Sequence, residues 1–158
     1  MTAAPPTYGR GRDDDREPGG PMVKLRQYVP RLAAGAYILN SGLSKRGADD
    51  ATAQGIHGMA AGTYSFLEDV EPKQFTKALS TAEIALGTAL VVPFVPTGLV
   101  ALGLGVFSAG LVGMYLKTPG MTREDGVRPT EQGTGLAKDV FLLGIAGGLL
   151  VDSLTRGK

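Results

Sequence analysis

Twenty consecutive residues without a charge, Thr97–Leu116, constrain this chain more than any other feature. A helix needs ~20 largely apolar residues to cross a hydrocarbon core of ~30 Å, and this segment is long enough for one crossing. The helix of a soluble bundle carries an apolar stripe and a polar face, whereas Thr97–Leu116 has no polar face at all. A second stretch, Leu136–Leu154, has charges only near its ends and none in Val140–Val151. A soluble domain of 158 residues can surround one such helix on all sides, but not two or three. Phe75–Val95 is uncharged from Ile84 onward and carries Glu83 inside. Val29–Leu43 is the shortest candidate and contains Arg31 and Asn40; Arg31, near its start, can snorkel to the interface. The expectation is an all-α fold, an integral membrane four-helix bundle with spans at about 29–43, 75–95, 97–116 and 136–154.

The average composition conceals this. Hydrophobic residues make up 43% of the chain and the mean hydropathy is +0.06, as in many soluble proteins, because charge is segregated rather than scarce. It gathers in the first 28 residues and in segments 45–77 and 117–135. A net charge of +1 offers nucleic acid no basic face. Without cysteine there is no disulfide or thiolate metal site, and the single histidine, His57, cannot supply both axial ligands of a haem or complete a structural zinc site. No intrinsic cofactor is expected; a redox group would belong to a partner or be a mobile lipid-soluble molecule such as a quinone. Residues 1–23, rich in Pro, Gly, Asp and Arg, lack the apolar core of a signal peptide and read as a disordered tail. The membrane domain then covers 24–156.

Glycine agrees with the membrane reading. Five of the 24 glycines lie within Thr97–Leu116, where each costs a soluble helix ~1 kcal/mol against Ala but lets helices approach closely in lipid. Ala101, Gly105, Ala109 and Gly113 form a small-residue stripe, and Gly144 and Gly148 repeat the spacing on the last helix. Both point to packing within one bundle, in preference to a homo-oligomer interface. The proline-punctuated turn 92–98 makes the second and third spans antiparallel neighbours. In the longer first loop, Ile56, Met59, Ala60, Tyr64 and Leu67 fall on one face, which predicts an amphipathic helix at the interface or across the bundle end, with His57 at its boundary. Basic residues are split eight against eight between the two sides. The densest group precedes the first span, so both termini are expected in the cytoplasm of a bacterial plasma membrane.

An up-down-up-down path brings Asn40, Ser41, Lys45, Glu83, Tyr115, Lys117, Lys138 and Asp139 toward one pole and leaves the apolar proline turn at the other. Intramembrane ionisable residues are candidates for function. Glu83, Asn40, Lys45, Tyr115 and Asp139 are therefore the candidate ligand or proton site, with Lys45, Lys77 and Lys138 as possible ion-pair partners for Glu83. The alternative is that Glu83 only staples the bundle. No nucleophile–base pair, phosphate loop or metal set is present, and Gly103-Leu104-Gly105 follows no strand.

The run from Arg31 to Lys45, with Gly35, Gly42 and a closing Lys, together with Ala82-Glu83-Ile84-Ala85-Leu86-Gly87, resembles the DoxX-like family of small bacterial membrane proteins over roughly residues 24–154. Asn40 and Ser41 stand where many members have His. The resemblance implies a four-helix membrane protein with cytoplasmic termini, and for some relatives an association with redox or oxidative-stress systems. A non-catalytic membrane subunit that docks a redox enzyme is thus the leading expectation. A small proton-coupled transporter using Glu83 is the alternative, and a stand-alone enzyme is third.

Overall fold

The computed structural model of the protein describes residues 25–155, so the expected tail 1–23 lies outside the described residues. The described chain is helical: α1 (Leu25–Lys45), α2 (Asp50–Ala61), a 3-10 turn (Ser65–Leu67), α3 (Pro72–Val91), α4 (Thr97–Lys117), α5 (Thr134–Ala137) and α6 (Val140–Leu154). Its start signals are local. The Asp49 carboxylate accepts from Thr52 N at 2.8 Å to open α2. Glu71 accepts from Lys73 N and Gln74 N to open α3, with Pro72 in the first turn, because the first amides of a helix have no partner within it.

α1 runs antiparallel to α3 and α4 antiparallel to α6; lesser contacts of α1 with α6 and of α3 with α4 join the two pairs. The tightest seam is between α1 and α3. A Cβ on Gly87 would stand 2.6 Å from Leu39 N, and one on Gly35 would stand 2.9 Å from Gly87 O. Gly42 faces Glu83 and Ile84 equally closely, and the Ser80 hydroxyl donates to Gly42 O at 2.7 Å. The core between the pairs is Ala34, Ile38, Leu90, Val100, Leu104, Leu142 and Ala146.

The stripe on α4 is not one continuous seam. Ala101 is buried and Gly105 faces Ala146, but Ala109 is exposed and Gly113 lies under the Tyr64 hydroxyl. Gly144 and Gly148 are exposed, and a Cβ on either would meet nothing among the described residues. The glycines that close approach of one helix backbone to another requires sit on α1 and α3 instead.

Among the described residues, two segments are long and apolar enough to cross a membrane, Thr97–Lys117 and Thr134–Leu154. Only 28% and 22% of their apolar windows are buried, so Leu102, Val106, Phe141 and Val151 turn outward from the fold. The helices α1 and α3 fall short because Gln27, Arg31 and Lys45, and Thr76, Ser80 and Glu83, occupy their inner faces.

Arg31 corrects one expectation. Instead of snorkelling, it is 1% exposed and turns inward across the end of α3. Its Nε donates to Leu90 O at 2.9 Å and its Nη2 to Ala89 O and Val92 O at 2.9 and 2.7 Å. Its Nη1 donates to Val95 O at 2.9 Å and Thr97 Oγ1 at 3.1 Å. One guanidinium thereby satisfies the carbonyls that α3 leaves unpaired at its end and ties them to the start of α4. The proline-turn pole is consequently polar inside: Thr97 Oγ1 donates to Gln27, Gln27 reaches Asp152, and Arg26 pairs with Asp152 at 2.6 Å.

Candidate functional site

Residues four apart lie on one side of a helix, and Tyr37, Ser41 and Lys45 share a side of α1. Glu83 on α3 meets them. Lys45 Nζ lies 3.0 and 2.9 Å from the two Glu83 carboxylate oxygens and also donates to Ser41 Oγ at 2.6 Å. Ser41 Oγ lies 3.3 Å from Glu83 Oε1. Of the three candidate lysines, Lys45 is thus the partner. The Glu83 side chain is 5% exposed and that of Lys45 19%, so the carboxylate is buried while the ammonium keeps some access to the outside.

The pair forms one wall of a cavity of about 300 Å³, at the lower end of the ~300–1,000 Å³ common for small-molecule pockets. Its other polar wall is Asp139, where the last helix is broken. Asp139 N bonds Leu136 O and Phe141 N bonds Lys138 O, three-residue spacings in place of four. Such a 3-10 stretch turns a side chain away from the direction a regular helix would give it, and Asp139 is buried at the cavity. The Tyr37 hydroxyl is directed at its carboxylate, and the charges of Asp139 and Glu83 act on each other. The remaining wall is apolar and includes Phe75, Leu79, Phe107, Leu111 and Met114. Helix α2 closes the end of the cavity with Ile56, Met59 and Ala60, the inner face of the amphipathic segment. His57 is buried beside it, its Nε2 2.8 Å from Leu67 O and its ring edge-on to Phe75. Tyr37, which lines the cavity, is itself half-exposed.

Glu83, Lys45 and Asp139 therefore come together. Asn40 does not: it is exposed on the outer side of α1. Tyr115 is buried but points elsewhere, its hydroxyl donating to Val127 O in the α4–α5 loop. Tyr37 and Ser41 take the places in the site that Asn40 and Tyr115 were expected to fill. Their four-residue spacing to Lys45 was the available signal.

Set against protein-family models, curated proteins and solved structures, the chain matches none.

Proposed function

We propose that this chain is a multi-pass helical membrane protein of the DoxX-like kind, a membrane subunit whose cavity holds an amphipathic, lipid-soluble molecule of the quinone class for a redox partner. The cavity carries this reading, because it joins polar side chains to an apolar wall and includes the half-exposed Tyr37 in its lining. A quinone head presents carbonyl acceptors on a flat apolar ring. Lys45, Ser41 and Tyr37 would turn donors from Glu83, Ser41 and Asp139 to the bound head, and Phe107, Leu111 and Met114 supply an apolar surface. Membrane insertion is supported by the outward apolar faces of Thr97–Lys117 and Thr134–Leu154. The helices α1 and α3 would cross with them, their polar residues turned toward each other instead of toward lipid.

The test is thermal unfolding of the purified chain in nanodiscs, titrated with a short-chain quinone. A ligand at 100 times its Kd stabilises by about 2.7 kcal/mol, which raises Tm by several degrees. The rise is expected to be lost in Asp139→Asn and in Tyr37→Phe. No rise in the native chain would refute quinone binding.

A second reading, proton-coupled carriage, draws on the nearness of the two carboxylates. Both Glu83 oxygens are taken up by Lys45, so in that reading Asp139 is the proton site. A pH-gradient flux in proteoliposomes that disappears in Asp139→Asn but survives Tyr37→Phe would favour it.

A further inference from the structure

Outside the cavity, sharing only Lys45 with it, lies a second pocket of about 560 Å³ where the end of α1 meets the start of α3. Lys45, Arg46, Lys73 and Lys77 line it, together with the hydroxyl residues Thr76, Ser80 and Thr81, and no acidic residue does. On α3, Lys73, Thr76, Lys77 and Ser80 follow the three- and four-residue spacing that places side chains on one face. The C-terminal end of α1 is held against that face by the Ser80 bond to Gly42 O and by the Lys45–Glu83 pair.

The charges are unevenly matched. Lys45 is paired with Glu83, and Lys73 with Asp50 at 2.7 Å in an exposed contact of the kind worth ~0–1 kcal/mol. Arg46 and Lys77 have no carboxylate partner among the described residues. A group of solvated lysines would by itself need no ligand. Thr76 is the observation that does: its residue is 3% exposed and its Oγ1 is buried with no hydrogen-bond partner among the described residues. Ser80 and Thr81, beside it, direct their hydroxyls to backbone carbonyls. A buried hydroxyl without a partner costs ~1–3 kcal/mol, and such groups in native folds call for an explanation. Here the residue that carries it lines a pocket walled by cations.

We propose that this pocket binds a phosphate group, carried on the headgroup of an anionic phospholipid or as a free phosphate ion, with Arg46 and Lys77 neutralising it and Thr76 Oγ1 donating to one of its oxygens. Arg and Lys donors on an anionic oxygen make charge-assisted bonds, and Thr76, unlike Ser80 and Thr81, has a hydroxyl proton not already given to the backbone. The pocket lies at the end of the bundle, where a lipid headgroup would sit if the helices cross a membrane. The inference does not require the cavity to hold a quinone.

The test uses the full chain in an uncharged maltoside detergent and reads thermal stability during two titrations. One compares sodium phosphate with sodium chloride at equal ionic strength; the other compares a short-chain phosphatidylglycerol with added maltoside. Saturable stabilisation by the lipid alone assigns a headgroup, by phosphate alone a free ion, and by both a site that reads the phosphate itself. Equal effects of phosphate and chloride, together with no effect of the lipid, would overturn the proposal. Thr76→Val, nearly the same shape, removes the hydroxyl from a site where it has no protein partner; it is expected to leave the stability of the ligand-free chain unchanged or higher. It should weaken binding about tenfold, the loss of one bond to a charged group, and Thr76→Ser should restore it. Arg46→Gln with Lys77→Gln should abolish saturation. Undiminished binding in both Thr76→Val and the double variant would equally overturn the assignment.

Discussion

At the scale of single residues, three side chains hold the two poles. Arg31 uses all five N–H donors on carbonyls and a hydroxyl at the α3–α4 turn. Lysine keeps the charge but has only three donors in a different geometry. Arg31→Lys is therefore expected to destabilise markedly, and Arg31→Met to cost on the order of 3–5 kcal/mol, as when a buried charged group is removed from its partners; denaturation of the purified chain in detergent would read both. At the other pole Glu83→Gln strands Lys45. Because the ammonium keeps some outside access, the expected loss is about 2–3 kcal/mol, below the ~3–5 of a fully buried pair. Adding Lys45→Met should recover part of it in a double-mutant cycle, and independent, additive losses would show that the pair is not coupled. In the α4–α5 loop, Arg128 and the amides of Val127 and Arg128 hold the Asp125 carboxyl below its ordinary value of 3.8. Since the folded value is the lower one, the turn's stabilisation is present above 3.8 and disappears as pH falls through the depressed value. Hydrogen exchange at Val127 and Arg128 should accordingly show protection at neutral pH that is lost as the pH falls below 3.8.

At the scale of elements, the fold is two antiparallel helix pairs with different packing chemistry. The α1–α3 pair approaches through Gly35, Gly42 and Gly87, and hydrogen bonds cross it at both ends. The α4–α6 pair is apolar, with Gly105 against Ala146. Gly87→Ala would force a methyl into the backbone of α1 at Leu39 and is expected to cost at least the ~1–3 kcal/mol typical of overpacking. Gly144→Ala and Gly148→Ala, which meet nothing among the described residues, should be neutral or slightly stabilising. Parallel melting curves of the three variants separate seam glycines from outward-facing glycines, and an intact Gly87→Ala would contradict the seam. The small-residue stripe on α4 was visible in the sequence, but spacing alone does not say which side of a helix has a neighbour. The α1–α3 glycines are visible as well, but only the packing of α1 on α3 sets Gly35 and Gly42 against Gly87, Glu83 and Ile84.

At the scale of the whole molecule, the proposed insertion makes a geometric prediction. The absence of cysteine makes single introduced thiols clean reporters. Phe94, exposed in the turn between α3 and α4, and Glu124, exposed in the α4–α5 loop, lie at opposite poles. In intact cells an impermeant thiol reagent should label Glu124→Cys and spare Phe94→Cys if the termini are cytoplasmic. The reverse pattern would invert the orientation, and labelling of both from outside would refute a four-span arrangement.

Helix content and the pole at which Glu83, Lys45 and Asp139 meet followed from the sequence alone. Long uncharged runs can satisfy their backbone only as helices in an apolar medium, and an up-down-up-down path returns alternate helix ends to one pole; the main pairs, α1 with α3 and α4 with α6, form across long connections and did not follow. The partners of individual polar groups did not follow. Arg31 lies near a helix end, where sequence logic sends a long side chain outward, yet the carbonyls of α3 arrive within its reach only when α1 and α3 pack through their glycines. Asn40 and Ser41 are adjacent and both polar; the roughly 100° turn between successive helical residues puts one outside and the other at Glu83. The rotation of each helix about its axis, and with it the choice of Ser41 and Tyr37 over Asn40 and Tyr115, was decided by contacts between residues far apart in the chain.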